Sequence, residues 1–235
     1  MSSVRFWVFS VLLSYFIGVQ AAKRPPGGRL VGSRPTTIQE HPFQVSAIYI
    51  DTHRCGGSIL KSNYVLTAAH CTNKVAAQNL LVRAGSTLVN QGGQLIQVEK
   101  YYQHENFDPD TYDYDISILK LEKGLKFGDG VAVAVLPSQS EDDIPGDTVG
   151  TVTGWGRLSL YGRLPQELEE VDLPTLNPSD CRQEYKSGDS GGPFINDGVL
   201  IGVTSWGDGC GAPDNPGVYA KVSYFRKYID NITNS

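Results

Sequence analysis

The chain of 235 residues is long enough for one large domain or for two small ones that share a core. Apolar residues make up 40% of it and charged residues 19%, which excludes a disordered polyelectrolyte and leaves enough apolar side chains to bury. Lys and Arg number 20 against 25 Asp and Glu, a formal net charge of −5, and no basic run interrupts the chain after residue 29. This balance argues against a nucleic-acid partner.

The first 22 residues have the pattern of a secretory signal peptide. Arg5 precedes a mostly apolar run over residues 6–19, and small residues follow at Ala21 and Ala22. As a helix, that run would span about 21 Å, less than the ~30 Å hydrocarbon layer of a bilayer. We therefore predict that residues 1–22 are removed and that the product is secreted and extracellular, with no membrane partner. Export also favours disulfide formation.

Residues 23–29 are basic, rich in Pro and Gly, and unsuited to packing. One interpretation is a linker. The other is a pro-segment that an activating protease cuts after Arg29, so that Leu30 becomes the new amino terminus.

The remainder, residues 30–235, alternates short apolar runs with clusters of Gly, Pro, Asn and Asp. This pattern is typical of an all-β barrel or sandwich. Helical spacing occurs only near the end, over about 224–232, and the strand-poor stretch 124–140 predicts a connection between two halves. The predicted strands cover residues 44–50, 57–60, 64–68, 80–84, 94–101, 116–121, 148–155, 199–205 and 217–222.

Three segments carry side chains suited to nucleophilic catalysis. His70 closes an apolar strand, Asp115 opens another, and Ser190 lies in a glycine-rich turn. A Ser hydroxyl needs an adjacent base, an imidazole serves as one near neutral pH, and a buried carboxylate orients that imidazole. Taken singly, each has a simpler interpretation: a core histidine, a solvated loop acid, and a serine in a turn.

Together these segments resemble the chymotrypsin/trypsin family of serine endopeptidases, over nearly all of residues 30–235. His70 and Asp115 stand 45 positions apart, as in that family. The resemblance implies two packed antiparallel six-stranded β-barrels, over about 30–130 and 131–235, with a short C-terminal helix. Further matching motifs are Cys55-Gly56-Gly57-Ser58, Thr153-Gly154-Trp155-Gly156, Ser205-Trp206-Gly207 and Pro216-Gly217-Val218-Tyr219.

The same resemblance implies a role for each matching residue. Ser190 is expected to be the nucleophile, His70 the general base and acid, and Asp115 the orienting carboxylate. The amides of Gly188 and Ser190 would form an oxyanion hole, and Asp189 would pair with the new terminus at Leu30. Substrate backbone would bind along Ser205, Trp206, Gly207 and Gly217.

The resemblance therefore predicts a secreted serine endopeptidase, made as a zymogen and acting through an acyl-enzyme. Its expected partners are protein or peptide substrates, an activating protease and protein protease inhibitors. It would act as a monomer, with no metal and no other cofactor.

One interval departs from the family pattern. Asp115 and Ser190 are 75 positions apart, against about 93 in the family, and Cys181 lies only nine residues before Ser190. The missing part would hold a strand, two cysteines and the floor of the specificity pocket, so the second barrel is predicted to be incomplete and catalysis weakened or abolished. Glu184 is either an acidic pocket residue or part of a solvated helix end.

Two other functions remain open at this point. One is a protease homologue that binds partners without efficient cleavage, and the other is a binding or adhesion β-domain with no enzymatic ancestry. The intact trio of His70, Asp115 and Ser190 favours the enzyme over both.

The resemblance also implies a Cys55–Cys71 disulfide, while Cys181 and Cys210 either pair with each other or stay free. Asn231 begins an Asn-Ile-Thr sequence and is a candidate for N-glycosylation. The other histidines lack metal-ligand spacing and are interpreted as structural or surface residues: His41, His53 and His104.

Overall fold

A computed structural model describes residues 33–157, 163–175, 190–206 and 217–234. The described strands are β1 (Arg34–Pro35), β2 (Gln44–Tyr49), β3 (Thr52–Lys61), β4 (Tyr64–Thr67), β5 (Leu80–Ala84), β6 (Gln94–Gln103), β7 (Ser117–Leu121), β8 (Val149–Gly154), β9 (Glu169–Pro174), β10 (Pro193–Asn196), β11 (Val199–Trp206) and β12 (Val218–Lys221). The helices are α1 (Ala69–Thr72) and α2 (Arg226–Thr233), and a 3₁₀ turn spans Ala77–Asn79.

The first half of the chain forms a closed antiparallel barrel in the order β2-β3-β4-β7-β6-β5. Ile50 and Asp51 both have positive φ angles, which gives the tight turn that joins β2 to β3. Side chains from several strands fill the interior without reaching solvent, among them Val45, Ile59, Leu66, Val82 and Ile118. Closure leaves this barrel without a free strand edge.

The second half forms a six-stranded antiparallel sheet in the order β1-β9-β8-β10-β11-β12. Strand β1 comes from the start of the described chain and pairs with β9 across a long sequence separation. Phe194 packs with Val152 and Val171 on one face of this sheet. Other side chains of the sheet, including Leu200 and Val203, extend the core of the first barrel.

The C-terminal helix α2 packs against the first barrel. Ile229 is fully buried in the shared core, and Lys61 donates from Nζ to the carbonyl of Thr233 at 2.8 Å. In the described segments, every helix falls short of the length and apolar character required to cross a bilayer.

The predicted fold class is confirmed by the closed barrel, the second sheet and the short C-terminal helix. Five described elements were not predicted from the sequence: α1, the 3₁₀ turn, β1, β9 and β10. A four-residue helix is too short to display helical spacing, and β9 begins with two glutamates, which are poor strand formers. The predicted domain boundaries near residues 30 and 130 stay predictions.

Candidate active site

Strand register brings His70 and Asp115 to the same edge of the first barrel. Strands β4 and β7 are antiparallel neighbours, and Thr67 at the end of β4 pairs with Ser117 at the start of β7. The residues that follow Thr67 and those that precede Ser117 therefore leave the barrel side by side. Residues distant in sequence become neighbours through one pair of hydrogen-bonded strands.

Asp115 receives three hydrogen bonds although it is only 2% exposed. The backbone amide of His70 donates to Oδ1 at 2.8 Å, His70 Nδ1 lies 2.7 Å from Oδ2, and Ser205 Oγ donates to Oδ2 at 2.5 Å. An ionised carboxylate only accepts hydrogen bonds, so Nδ1 carries the proton in this contact. In the neutral imidazole, Nε2 is then an acceptor and is free to take a proton from another group.

Several interactions fix the turn that carries His70. Cys71 forms a disulfide with Cys55 of β3, as predicted. Arg54 donates from Nε to the carbonyl of Cys71 at 2.9 Å, and its Nη2 lies 3.5 Å from the carbonyl oxygen of His70. A charged donor thus satisfies carbonyls at the end of α1, which is where a helix leaves them unpaired.

Ser190 lies beside β3 of the first barrel. Its carbonyl accepts a hydrogen bond from the amide of Gly56 in β3 at 2.9 Å, and the next residue, Gly191, donates to the carbonyl of Thr204 in β11 at 2.7 Å. The Ser190 turn is therefore attached to the first barrel on one side and to the second sheet on the other. Ser190 itself is half-buried.

Glycine is required immediately after Ser190. Gly191 has a φ angle of +80°, and a Cβ built there would overlap Thr67 Oγ1 and stand 2.7 Å from the carbonyl oxygen of Gly56. No L side chain fits between those atoms without movement of the barrel. The nucleophile turn and the end of β4 therefore interlock at this residue.

The structure joins His70, Asp115 and Ser205, while other groups expected at the site are not in contact with them or lie outside the described residues. Within the described segments, no hydrogen bond joins Ser190 Oγ to His70 Nε2; Nε2 lies 3.7 Å from the sulfur of Cys71. Ser205 contacts Asp115 directly, and Trp206 pairs with Val218 across β11 and β12. The remaining predicted site residues lie outside the described residues: Arg29, Leu30, Cys181, Glu184, Gly188, Asp189, Gly207 and Cys210.

Gly217 and Asn231 occupy different surroundings. A Cβ added to Gly217 would approach the hydroxyl of Tyr219 to 2.9 Å, so the backbone there passes close to that ring. Asn231 lies on α2 with its side chain exposed, as an acceptor for glycosylation must be.

Apart from His70 with the disulfide-bonded Cys55 and Cys71, one group of described side chains has a composition suited to a metal. Ligand atoms of Glu40, His41 and Glu170 lie within 4.8 Å of one another. Glu170, however, already accepts from Arg34 Nε at 2.8 Å and contacts His41 Nε2 at 2.5 Å. We interpret this group as an ion-pair network in which the Arg34 guanidinium takes the position of a metal ion beside Glu170.

Sequence reasoning did not identify the aromatic neighbours of the site. The ring of Tyr112 lies 5.4 Å from that of His70, and Tyr112 has a positive φ angle of 62°. His104, interpreted from sequence only as a structural or surface residue, packs within a group of rings beside Asp115. The aromatic residues around Asp115 in the sequence were the available signal.

Comparison with known proteins agrees with this arrangement. The family model described as Trypsin matches residues 30–229, which is most of the chain. The chain belongs to the trypsin family. It is 36% identical to a vitellin-degrading protease of Bombyx mori, covering 96% of this chain and 95% of that protein, and 35% identical to trypsin delta of Drosophila melanogaster, covering 94% and 97%.

A structural relative has the same fold. Human heparin binding protein superposes with a TM-score of 0.79 at 25% identity, over 88% of this chain and 97% of that one. The alignment to the Bombyx protein extends over 253 positions, more than the 235 residues of this chain. That alignment must contain positions at which this trypsin-family chain has no residue.

Proposed function

We propose that this protein is a secreted serine endopeptidase that hydrolyses peptide bonds through an acyl-enzyme. The observation that carries the proposal is the double contact between His70 and the buried carboxylate of Asp115. It holds the imidazole in one orientation and one tautomer, which is the requirement for a general base in acyl transfer.

In the proposed reaction, Ser190 Oγ attacks the carbonyl carbon of the scissile peptide bond while His70 Nε2 takes its proton. The imidazolium then protonates the leaving amine as the C–N bond breaks, which leaves Ser190 acylated. Water then attacks the ester carbonyl while His70 takes its proton, and the imidazolium returns that proton to Ser190 Oγ as the acyl group leaves. Asp115 offsets the charge of the imidazolium and stays ionised throughout.

Two further parts of the site would act on the substrate. Amides of Gly188 and Ser190 would donate to the oxyanion that develops on the carbonyl, and the edge formed by Ser205, Trp206, Gly207 and Gly217 would bind substrate backbone as an added strand. Proteins and peptides are therefore the substrates we propose. No preference for a particular side chain is assigned, because the specificity pocket falls in the shortened interval.

Activation would follow cleavage after Arg29 by another protease. The freed ammonium of Leu30 would pair with Asp189 and order the oxyanion loop beside Ser190. Ser33, three residues after Leu30, donates from Oγ to Glu169 at 2.9 Å, so the new terminus would start from a fixed point on β9. Export through the leader at residues 1–22 would place the zymogen outside the cell.

A second candidate is a protease homologue that binds protein partners with weak or no catalysis. The 75-residue separation of Asp115 and Ser190 favours it, because the family places pocket walls in the residues that are missing. Loss of a single oxyanion donor lowers kcat by about 10²–10³-fold, so a poorly supported oxyanion loop would have a large effect.

Turnover of peptide amides separates the two candidates. The full chain, expressed in secreted form, would be assayed before and after cleavage at Arg29 with a mixed library of fluorogenic peptide amides, with Ser190→Ala as the control for contaminating proteases. The proposal expects turnover only after cleavage, slower than in a complete family member. Equal rates for the cleaved protein and its Ser190→Ala variant would overturn it and leave the binding homologue.

A further inference from the structure

A set of aromatic rings connects the C-terminal helix to the residue that precedes Asp115. His104 stacks on Tyr114 with 4.8 Å between ring centroids and 19° between planes. Phe225 approaches His104 edge-on at 5.5 Å, and Tyr228 lies against it at 4.7 Å. We call these four residues, His104, Tyr114, Phe225 and Tyr228, the ring cluster.

The backbone around Asp115 has an unusual conformation that needs external support. Tyr114 has a φ angle of +53°, a region that costs a side-chain-bearing residue about 1–2 kcal/mol. The amide of Ile116 donates to the carbonyl of Tyr114 at 2.7 Å, so Asp115 is the central residue of a three-residue turn. The direction of the Asp115 carboxylate therefore depends on how Tyr114 is held.

The ring cluster holds Tyr114 from one side and β7 holds the turn from the other. The amide of His104 donates to the carbonyl of Ile116 at 3.1 Å, which ties the histidine to the residue after Asp115. The ring of His104 stacks on Tyr114, the residue before Asp115. His104 thus contacts both neighbours of the carboxylate without contacting the carboxylate itself.

Helix α2 supplies the outer wall of the ring cluster. Phe225, which caps the start of α2, is 7% exposed, and the hydroxyl of Tyr228 donates to the carbonyl of Tyr102 at 2.8 Å. Ile229 anchors the same helix in the core but is not one of the rings. The helix therefore meets the barrel through two kinds of contact within one cluster of buried side chains: an aliphatic anchor and an aromatic contact with the site.

We infer that His104 and Tyr114 are positioning residues for Asp115, and that α2 acts on the active site through the ring cluster. The consequence for catalysis rests on the proposed function. The consequence for the contact between Asp115 and His70 is independent of the proposed function. Aromatic pairs of this kind stabilise the folded state by more than the area that they bury. Their preferred edge-to-face and stacked geometries also fix the orientation of one ring relative to the other.

Three variants of the full chain test the inference. His104→Ala opens the ring cluster, His104→Phe restores a ring without the imidazole, and Ile229→Ala weakens the same helix away from the rings. The first readout is the low-field proton NMR signal of His70 Nδ1–H, which reports the hydrogen bond to Asp115 whether or not the protein turns over substrate. The second is kcat and KM on a peptide amide after cleavage at Arg29.

We expect His104→Ala to shift or lose the low-field signal and to lower kcat by about 10- to 100-fold with KM nearly unchanged, because small displacements of a catalytic group have effects of that size. His104→Phe should keep both close to wild type. Ile229→Ala should lower the melting temperature and keep the signal. A His104→Ala protein with an unaltered signal, or an Ile229→Ala protein that loses it equally, would overturn the inference.

Phe225→Leu provides a second test if His104→Ala does not fold, since it removes one ring and retains most of the volume. It should shift the low-field signal in the same direction by a smaller amount, and an unshifted signal would overturn the inference. If the wild-type protein shows the signal and its dependence on His104 but hydrolyses no peptide, the proposed function fails while the positioning role stands. Turnover with no dependence on His104 would instead overturn the positioning role and leave the proposed function standing.

Discussion

The first barrel and the second sheet hold their parts of the candidate site in different ways. In the barrel, His70 and Asp115 are joined by paired strands, by two hydrogen bonds to one carboxylate, and by the disulfide beside His70. On the side of the second sheet, Ser190 is attached through backbone contacts of its own turn and of Gly191, after an interval shorter than the family pattern.

The difference shows which half of the site has more support from its own barrel. The acid–base pair is held mainly by contacts of the first barrel, with Ser205 of β11 and the ring cluster as additional supports. The nucleophile depends on an interlock between the two halves, and its expected neighbours Gly188 and Asp189 belong to the segment after the shortened interval. The following changes test this contrast, from the largest expected effect to the smallest.

Asp115→Asn should have the largest effect, because it replaces the acceptor that fixes the His70 tautomer. The amide retains the shape of the side chain, while an equivalent change in a serine protease triad lowers kcat by about 10⁴-fold. The fall in kcat would be measured as peptide amide hydrolysis after cleavage at Arg29, and circular dichroism would verify that the variant is folded. A variant that retains a tenth of wild-type kcat would show that the contact between His70 and Asp115 is not required for the reaction.

Gly191→Ala tests the interlock on the other side. The new methyl would meet Thr67 Oγ1 and the backbone of Gly56, so we expect a loss of about 2–5 kcal/mol from overpacking and strain combined. Gly198→Ala is a matched control, since its φ angle of +77° is similar and nothing lies within 4 Å of the added Cβ. It should cost only the strain, about 1–2 kcal/mol. Equal urea midpoints for the two variants would contradict the interlock.

Paired replacement of Cys55 and Cys71 by Ser removes the covalent support of the His70 turn. The two cysteines are separated by 16 positions, and closing a loop of that length is worth about 3 kcal/mol of unfolding free energy. Chemical denaturation would measure the loss. Because the hydrogen bonds to Asp115 remain, we expect kcat below the unfolding transition to fall less than tenfold. A complete loss of turnover in the folded variant would show that those hydrogen bonds do not hold His70 without the disulfide.

The smallest expected effect concerns pH. Burial lowers the pKa of His104, so the unfolded chain binds a proton at this residue more readily than the folded one. Its contribution to stability is present above the unfolded pKa of about 6.5 and is lost as the pH falls below that value.

His104→Phe should therefore reduce the fall in melting temperature between pH 7 and pH 5 relative to wild type, while a similar fall in both proteins would contradict the burial of a neutral imidazole.

The sequence was sufficient to predict the fold class and the family. The alternation over β5 is clear because one face of that strand is buried, whereas β2 and β7 are buried along almost their whole length. The motifs around His70 and Ser190 are distinctive in the sequence. Strand β9 was not predicted because glutamates are poor strand formers unless other parts of the chain bind them. Glu169 accepts a hydrogen bond from Ser33, and Glu170 forms an ion pair with Arg34. Local propensity contains no information about such partners.

The contacts around the site were less predictable than its members. The contact between Gly191 and Thr67, and the stacking of His104 on Tyr114, join residues separated by long stretches of sequence or by an irregular turn. Periodicity reports which face of an element is buried, but not which residue of another element it meets. The ring cluster and the interlock at Gly191 therefore became apparent only in three dimensions.

Covalent labelling tests the central claim most directly, which is that His70 activates the hydroxyl of Ser190. The full chain would be cleaved after Arg29 and treated with an active-site-directed fluorophosphonate, with the uncleaved chain and the Ser190→Ala variant in parallel, and the modified peptide identified by mass spectrometry. Our account predicts modification at Ser190 in the cleaved protein alone. Absence of labelling in a cleaved, folded protein, or labelling at another residue, would contradict it.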